Sequence, residues 1–182
     1  MRPSSPYRRL AAREVYRNPW LAVEVHDIVH PSGAAGEHAL IATGRASGVL
    51  VVEGDAFVLA RQPRFAADAE MLEIVKGGAA PGETALACAQ RELREELGLE
   101  AEQWTPLGHV HEIPSIIEHP VTLFLAQDLR EVETAQEQVE AVRAERIAIA
   151  DAYRAAIDGR VADAVTLAAL LRYRLLIDET ER

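Results

Sequence analysis

The run from Thr84 to Leu97 constrains this chain most. It contains no Gly or Pro and is rich in Ala, Leu, Glu and Arg, all strong helix formers. It follows a Pro81-Gly82 turn signal and stops at Gly98, a residue suited to a C-terminal cap. On a helix, Glu92, Glu95 and Glu96 stand at i, i+3 and i+4 and share one face, while Leu86, Ala89, Leu93 and Leu97 form another that can pack on a sheet. Three carboxylates so close repel one another. A divalent cation removes that penalty, and hard ions such as Mg²⁺ or Mn²⁺ prefer oxygen ligands. A solvated acidic face accounts for the same residues without a metal.

Around this helix the pattern alternates strands and helices. Leu21 to Ile28 and His38 to Thr43 read as strands separated by the turn Pro31 to Gly36. Ser47 to Val52 and Ala56 to Arg61 flank Glu53-Gly54-Asp55, a hairpin signal. A further strand pair is predicted at Leu107 to His111 and Val121 to Gln127. Two more helices are predicted, Arg143 to Ile157 and Asp163 to Ile177, the latter with Asp163 as N-cap. This order implies an α/β domain in which helices flank a mixed sheet. With 182 residues, no linker and no repeat, 1–182 reads as a single domain: N-terminal strands in about 14–43, the acidic helix, then C-terminal helices in about 143–177.

The net charge of −10 argues against nucleic acid as partner, since binding to a phosphate backbone rewards excess Lys and Arg. A small phosphorylated substrate remains compatible if a metal neutralises it locally. One cysteine, Cys88, excludes an internal disulfide and fits a reducing cytoplasm; mid-helix, it reads as packed rather than nucleophilic. The N-terminus leads into no apolar run, so no signal peptide is expected, and no segment approaches the roughly 18 apolar residues of a membrane helix. His109 and His111 share a strand face near His119, but no matching carboxylate or cysteine set accompanies them as a transition-metal site.

The segment from Gly77 to Leu99 reads Gly77, five residues, Glu83, seven residues, Arg91-Glu92-Leu93, one residue, Glu95-Glu96, one residue, Gly98-Leu99. Every specified position of the Nudix box is filled, and on these residues the chain resembles the Nudix hydrolase superfamily. The resemblance implies an α/β/α sandwich whose strand-loop-helix unit grips divalent metal, Mg²⁺ or Mn²⁺, against a diphosphate. It implies Glu92 and Glu96 as principal metal ligands, Glu95 assisting, and a backbone carbonyl near Lys76 and Gly77 as a further ligand. Glu83 and Arg91 are expected to pair and brace the loop against the helix.

Outside the box, Arg61-Gln62-Pro63-Arg64 resembles the Arg-Gln-x-Arg stretch of ADP-ribose pyrophosphatases, which implies Arg61 and Arg64 as phosphate contacts. Pro114 lies fifteen residues beyond Leu99, the spacing seen in that branch. Tyr16 to Trp20 and the tail from Gly159 are similar to the same branch, where an aromatic such as Trp20 stacks on the base; a core or interface anchor is the alternative for Trp20. Many members carry Ser-Pro-Gly before a loop glutamate. Here Ser115 replaces the Gly, and Glu118 is the nearest loop carboxylate and the candidate general base, with Glu137 and Glu140 behind it.

The resemblance thus implies hydrolysis of a nucleoside diphosphate sugar, ADP-ribose or a related ADP-sugar, by a homodimer. Alternatives are hydrolysis of nucleoside triphosphates, NADH or dinucleoside polyphosphates, or a catalytically silent domain that senses a nucleotide. A silent domain would be expected to have lost box glutamates, and none is lost.

Overall fold

Val49-Leu50-Val51-Val52 is an unbroken apolar run, and all four side chains are buried. A strand can bury both faces only when both are covered. Leu50 and Val52 belong to one apolar cluster and Val49 and Val51 to another, as the two-residue period of a strand requires. A computed structural model describes residues 5–133 and 141–180 and shows the covering layers.

The described residues fall into two units. The larger comprises residues 45–110 and 120 onward. Its strands are β4 (Ala46–Glu53), β5 (Ala56–Arg64), β6 (Ala69–Glu73), β7 (Val75–Gly78), β8 (Leu99–His111), β10 (Pro120–Glu131) and β11 (Arg143–Ala148). The sheet order is β11-β5-β4-β10-β8, with β6 added to β5 and β7 to β4. β10 runs parallel to β4, whereas β5 and β7 run antiparallel to it. Helix α1 (Ala85–Leu97) packs Ala89, Leu93 and Leu97 on the Val49, Val51 and Val58 face. Helices α2 (Ile149–Ile157) and α3 (Ala164–Thr180) cover the other face, where Phe57 meets the Tyr173 and Tyr153 rings edge-on at 5.2 and 6.1 Å. This is the expected α/β/α sandwich with a mixed sheet.

The smaller unit comprises residues up to 44 together with 111–119. It is a sheet ordered β1 (Arg8–Arg17), β2 (Ala22–Val29), β3 (Ala35–Ala42) and β9 (Ile117–Glu118). The Asn18 side chain accepts from the backbone N–H groups of Trp20 and Leu21, both at 2.9 Å, and so turns β1 into β2. Every residue of β1 is exposed.

Two helix ends follow the sequence closely. Thr84 Oγ1 accepts from the Ala87 N–H at 3.2 Å, and Gly98 closes α1 at φ +62°. Asp163 caps α3 by accepting from the Thr166 N–H at 2.8 Å.

The stretch Arg143 to Ile157 needs correction. Its first six residues form β11, and only Ile149–Ile157 is helical. Helix-favouring residues yield here to the open edge of β5, whose backbone β11 pairs from Arg143 opposite Arg61 to Ala148 opposite Ala56. Ion pairs from Glu145 to Arg61, Arg146 to Glu53 and Arg143 to Glu70 reinforce that choice. β1 begins at Arg8, before the expected start near 14, and β8 starts at Leu99 rather than Leu107. Pro106 is tolerated within β8 because this strand ends the sheet.

Candidate active site

β7 and α1 carry the acidic centre, and the loop between them, 79–84, is short and fixed at both ends. Ala79 donates to the Arg45 carbonyl at 2.9 Å, and Ala80 N–H donates to Glu83 Oε2 at 2.8 Å. Arg91 then ties loop to helix. Its Nε and Nη2 donate to the two Glu83 oxygens at 2.9 and 3.0 Å, and Nη2 also donates to the Gly78 carbonyl at 2.8 Å. The guanidinium beside Glu83, helped by the Ala80 N–H, holds that carboxyl down at about 2. The expected bracing pair is therefore present as a two-pronged contact.

Arg91 also reaches the acidic face of the helix. Its Nη1 donates to Glu92 Oε1 at 2.6 Å and to Glu95 Oε2 at 2.9 Å. Glu96, one turn from Glu92, is 6% exposed. Gly77 completes the cradle: a Cβ built there would lie 2.0 Å from Glu92 Cδ. Only a residue without a side chain lets the β7 backbone approach this carboxylate. The Gly77 carbonyl accepts a weak bond from Cys88 Sγ at 3.5 Å, and burial pushes the Cys88 thiol up, in keeping with a packed rather than reactive sulfur.

A second charged group adjoins this centre. Glu73, 1% exposed, accepts from Arg64 Nε and Nη2 at 3.1 and 2.6 Å and lies 3.3 Å from Lys76 Nζ. Lys76 also donates to Asp163 at 2.5 Å, and Asp163 accepts from Thr166 Oγ1 at 2.6 Å. Arg64 lies within electrostatic reach of Glu96 and Asp163. Glu73 and Asp163 escaped the sequence reading as site residues. The available signal was a carboxylate inside the apolar run Met71-Leu72-Glu73-Ile74-Val75, since such a group requires a buried cation.

The other expected residues are distributed as follows. Arg61 lies on β5, and its guanidinium fork is occupied by both Glu145 oxygens, at 2.5 and 2.9 Å. Trp20, Pro114 and Glu118 belong to the smaller unit: Trp20 is 78% exposed beyond the Asn18 turn, and Glu118 is exposed on β9 opposite Ala42. His119 and Thr43 share a 2.6 Å hydrogen bond there. Glu137 and Glu140 lie outside the described residues. Among the described residues no three His, Cys, Asp or Glu side chains surround a common point, the three histidines included. At the box, the Arg91 guanidinium occupies the space between Glu92 and Glu95.

Comparison with known proteins shows the family to which the chain belongs. The NUDIX domain family matches residues 42–170. The chain belongs to the Nudix hydrolase family. Residues 7–41 match a second family, the nucleoside diphosphate sugar hydrolase N-terminal domain. An ADP-ribose pyrophosphatase of Bacillus subtilis (strain 168) is 26% identical over 166 residues, covering 90% of each chain. A crystal structure of an ADP compounds hydrolase shares the fold with a TM-score of 0.86 at 22% identity, covering 99% of this chain and 98% of that one.

Nudix hydrolases generally need a divalent metal, and the residues present here fit one. Glu92, Glu95, Glu96 and the Gly77 carbonyl offer oxygen atoms alone, the donors hard cations take, although with Arg91 between Glu92 and Glu95 the carboxylates do not meet at a common point. A carboxylate buried as deeply as Glu96 calls for positive charge nearby. No helix among the described residues is long and apolar enough to cross a membrane.

Proposed function

We propose that this Nudix hydrolase cleaves the diphosphate linkage of a nucleoside diphosphate sugar, ADP-ribose or a related ADP-sugar, to a nucleoside monophosphate and a sugar phosphate. The observation that carries this reading is one chain holding both a complete Nudix box and the nucleoside diphosphate sugar hydrolase N-terminal domain on residues 7–41. The names of the relatives, an ADP-ribose pyrophosphatase and an ADP compounds hydrolase, favour an adenosine diphosphate compound.

In this reading Glu92 and Glu96, with Glu95 and the Gly77 carbonyl, hold Mg²⁺ or Mn²⁺. The cation supplies positive charge against the diphosphate and makes water more acidic. Glu83 and Arg91 fix the distance between the β7 carbonyl and the α1 carboxylates. Glu118 takes the proton from the attacking water. Arg64 offers a guanidinium to a phosphate oxygen; Arg61 does so only by exchanging Glu145 for substrate. Trp20 stacks on the base, and Pro114 shapes the loop that carries Glu118.

We further propose that 1–182 works as one hydrolase domain, as a homodimer and in the cytoplasm. The fully exposed β1, with Leu10, Val15 and Tyr16 uncovered, supports a subunit contact, and the single buried Cys88 is compatible with a reducing compartment.

The test is turnover of a panel with Mg²⁺: ADP-ribose, ADP-glucose, GDP-mannose, NADH, diadenosine polyphosphates and nucleoside triphosphates, with products identified. Release of AMP and ribose 5-phosphate from ADP-ribose, abolished in Glu96→Gln, is expected. Preference for a triphosphate overturns the substrate assignment, and an unchanged rate in Glu96→Gln overturns the mechanism.

A further inference from the structure

We infer that Arg91 Nη1 is a built-in counter-cation of the box, and that a divalent cation binds there by exchange with it, taking over Glu92 and Glu95. This rests on the reading of those two carboxylates as metal ligands. Its basis is a division of labour within one guanidinium. Nε and Nη2 donate to the two Glu83 oxygens at 2.9 and 3.0 Å, and Nη2 donates to the Gly78 carbonyl at 2.8 Å. Those three bonds brace the loop. Nη1 serves the acidic face instead, donating to Glu92 Oε1 at 2.6 Å and to Glu95 Oε2 at 2.9 Å.

Charge favours the exchange. Glu92 and Glu95 are three residues apart on one helix face, where like charges destabilise the helix. Arg91 offsets that repulsion with a single positive charge, whereas a hard divalent cation brings two and takes carboxylate oxygens directly. A monovalent ion brings no more charge than the group it would displace. Tethering keeps the exchange local: the two Nη1 bonds can part while Nε and Nη2 keep theirs, so the loop stays braced. Glu92 has no room to withdraw toward β7, since a Cβ on Gly77 would already lie 2.0 Å from its Cδ. The same placement accounts for box carboxylates that do not surround a common point.

The experiment measures Mn²⁺ binding to the full-length protein without substrate, from the electron paramagnetic resonance signal of free Mn²⁺, so turnover does not enter. Arg91→Gln removes both the brace and the counter-cation. Glu83→Gln removes the anion of the brace and leaves Nη1 with its two carboxylates. Kd should be about tenfold lower in Arg91→Gln than in Glu83→Gln, the scale on which one adjacent charge shifts a carboxylate equilibrium. A brace alone predicts equal constants, since each variant breaks the same link. Arg94→Gln controls for net charge: it removes an exposed cation on the next turn of α1 and should change Kd by less than about threefold. On the parent, nitrogen-15 NMR of the arginine side chains reads the exchange itself. Saturating Mg²⁺ should release the Arg91 Nη1 hydrogens to exchange with water while the Nε–H signal, identified by its shift in Glu83→Gln, persists.

If Kd in Arg91→Gln is no lower than in Glu83→Gln, or if Arg94→Gln tightens binding as much, the inference is overturned. Nη1 hydrogens unmoved by saturating Mg²⁺ overturn it too, and that result stands even if Arg91→Gln does not fold. Glu96→Gln separates the two levels: a parent-like Kd there refutes the metal reading itself, whereas a weakened Kd there with equal constants in Arg91→Gln and Glu83→Gln refutes only the role of Arg91 Nη1.

Discussion

Gly77→Ala tests the geometry of the centre with one methyl group. Gly77 is not among the positive-φ residues, so its backbone conformation admits alanine, and such a change by itself stabilises a chain by about 0.4–1 kcal/mol. The new Cβ would nonetheless sit 2.0 Å from Glu92 Cδ and 2.1 and 2.3 Å from the two carboxylate oxygens. Ordinary contact begins at 3.4 Å, so the carboxylate must retreat about 1.4 Å. The atom that yields is the end of a flexible side chain, so the fold survives. In the proposed reading the displaced group is a metal ligand. A misplacement of about 1 Å at a reacting centre costs on the order of 100-fold in rate, equivalent to about 2.7 kcal/mol of barrier. AMP release from ADP-ribose with Mg²⁺ should therefore fall about 100-fold, while Tm stays within the roughly 2–4 °C that 1 kcal/mol produces in a domain of this size. Gly78→Ala is the internal control, because a Cβ there meets nothing within 4 Å. A Gly77→Ala rate within about threefold of the parent, or an equal loss in Gly78→Ala, refutes the cradle.

Other outcomes follow from the same site. Glu83 has its pKa lowered from the usual 4.5 to about 2, so its ionised form stabilises the fold fully above about pH 4.5, and that contribution disappears as pH falls through about 2. The Tm gap between the parent and Glu83→Gln should accordingly be largest near neutral pH and close over that window; a gap that widens on acidification contradicts the pairing with Arg91. Thr84→Ala removes the α1 cap and should cost about 1 kcal/mol, seen as a drop of about 2–4 °C in a thermal melt, and an unchanged melt would show the cap to be idle. Leu93→Ala, at 0% exposure under α1, should cost about 2–5 kcal/mol in urea unfolding, against less than about 0.5 for the exposed Leu171→Ala. Equal losses would contradict the packing assigned to α1.

The box was legible because its logic is local. Helix period places Glu92, Glu95 and Glu96 together, Thr84 and Gly98 mark the ends, and Glu83 meets Arg91 only eight residues away. The features that escaped depend on partners distant in sequence. Lys76 and Asp163 are separated by 87 residues, and Arg61 and Glu145 by 84. The same applies to β11: Arg143 to Ala148 has helix-favouring composition, and only the unpaired edge of β5 makes it a strand. Local propensity describes what a segment prefers alone, whereas an open row of backbone donors and acceptors decides what it does in the fold.

β4 pairs with β10 along one edge and divides the other between β7, along Ala46–Val49, and β5, along Val51–Glu53. The strand therefore has a permissive end and a forbidding one. At the permissive end the hairpin turns on Gly54, at φ +62°, and an inserted peptide there leaves the alignment of β7 unaltered. At the forbidding end Gly77 stands opposite Ser47, and deleting one residue from β7 would exchange the faces of Lys76 and Gly77 together. A reporter loop or fusion partner belongs at Gly54. Between Val75 and Gly78, chain length itself fixes the register against β4.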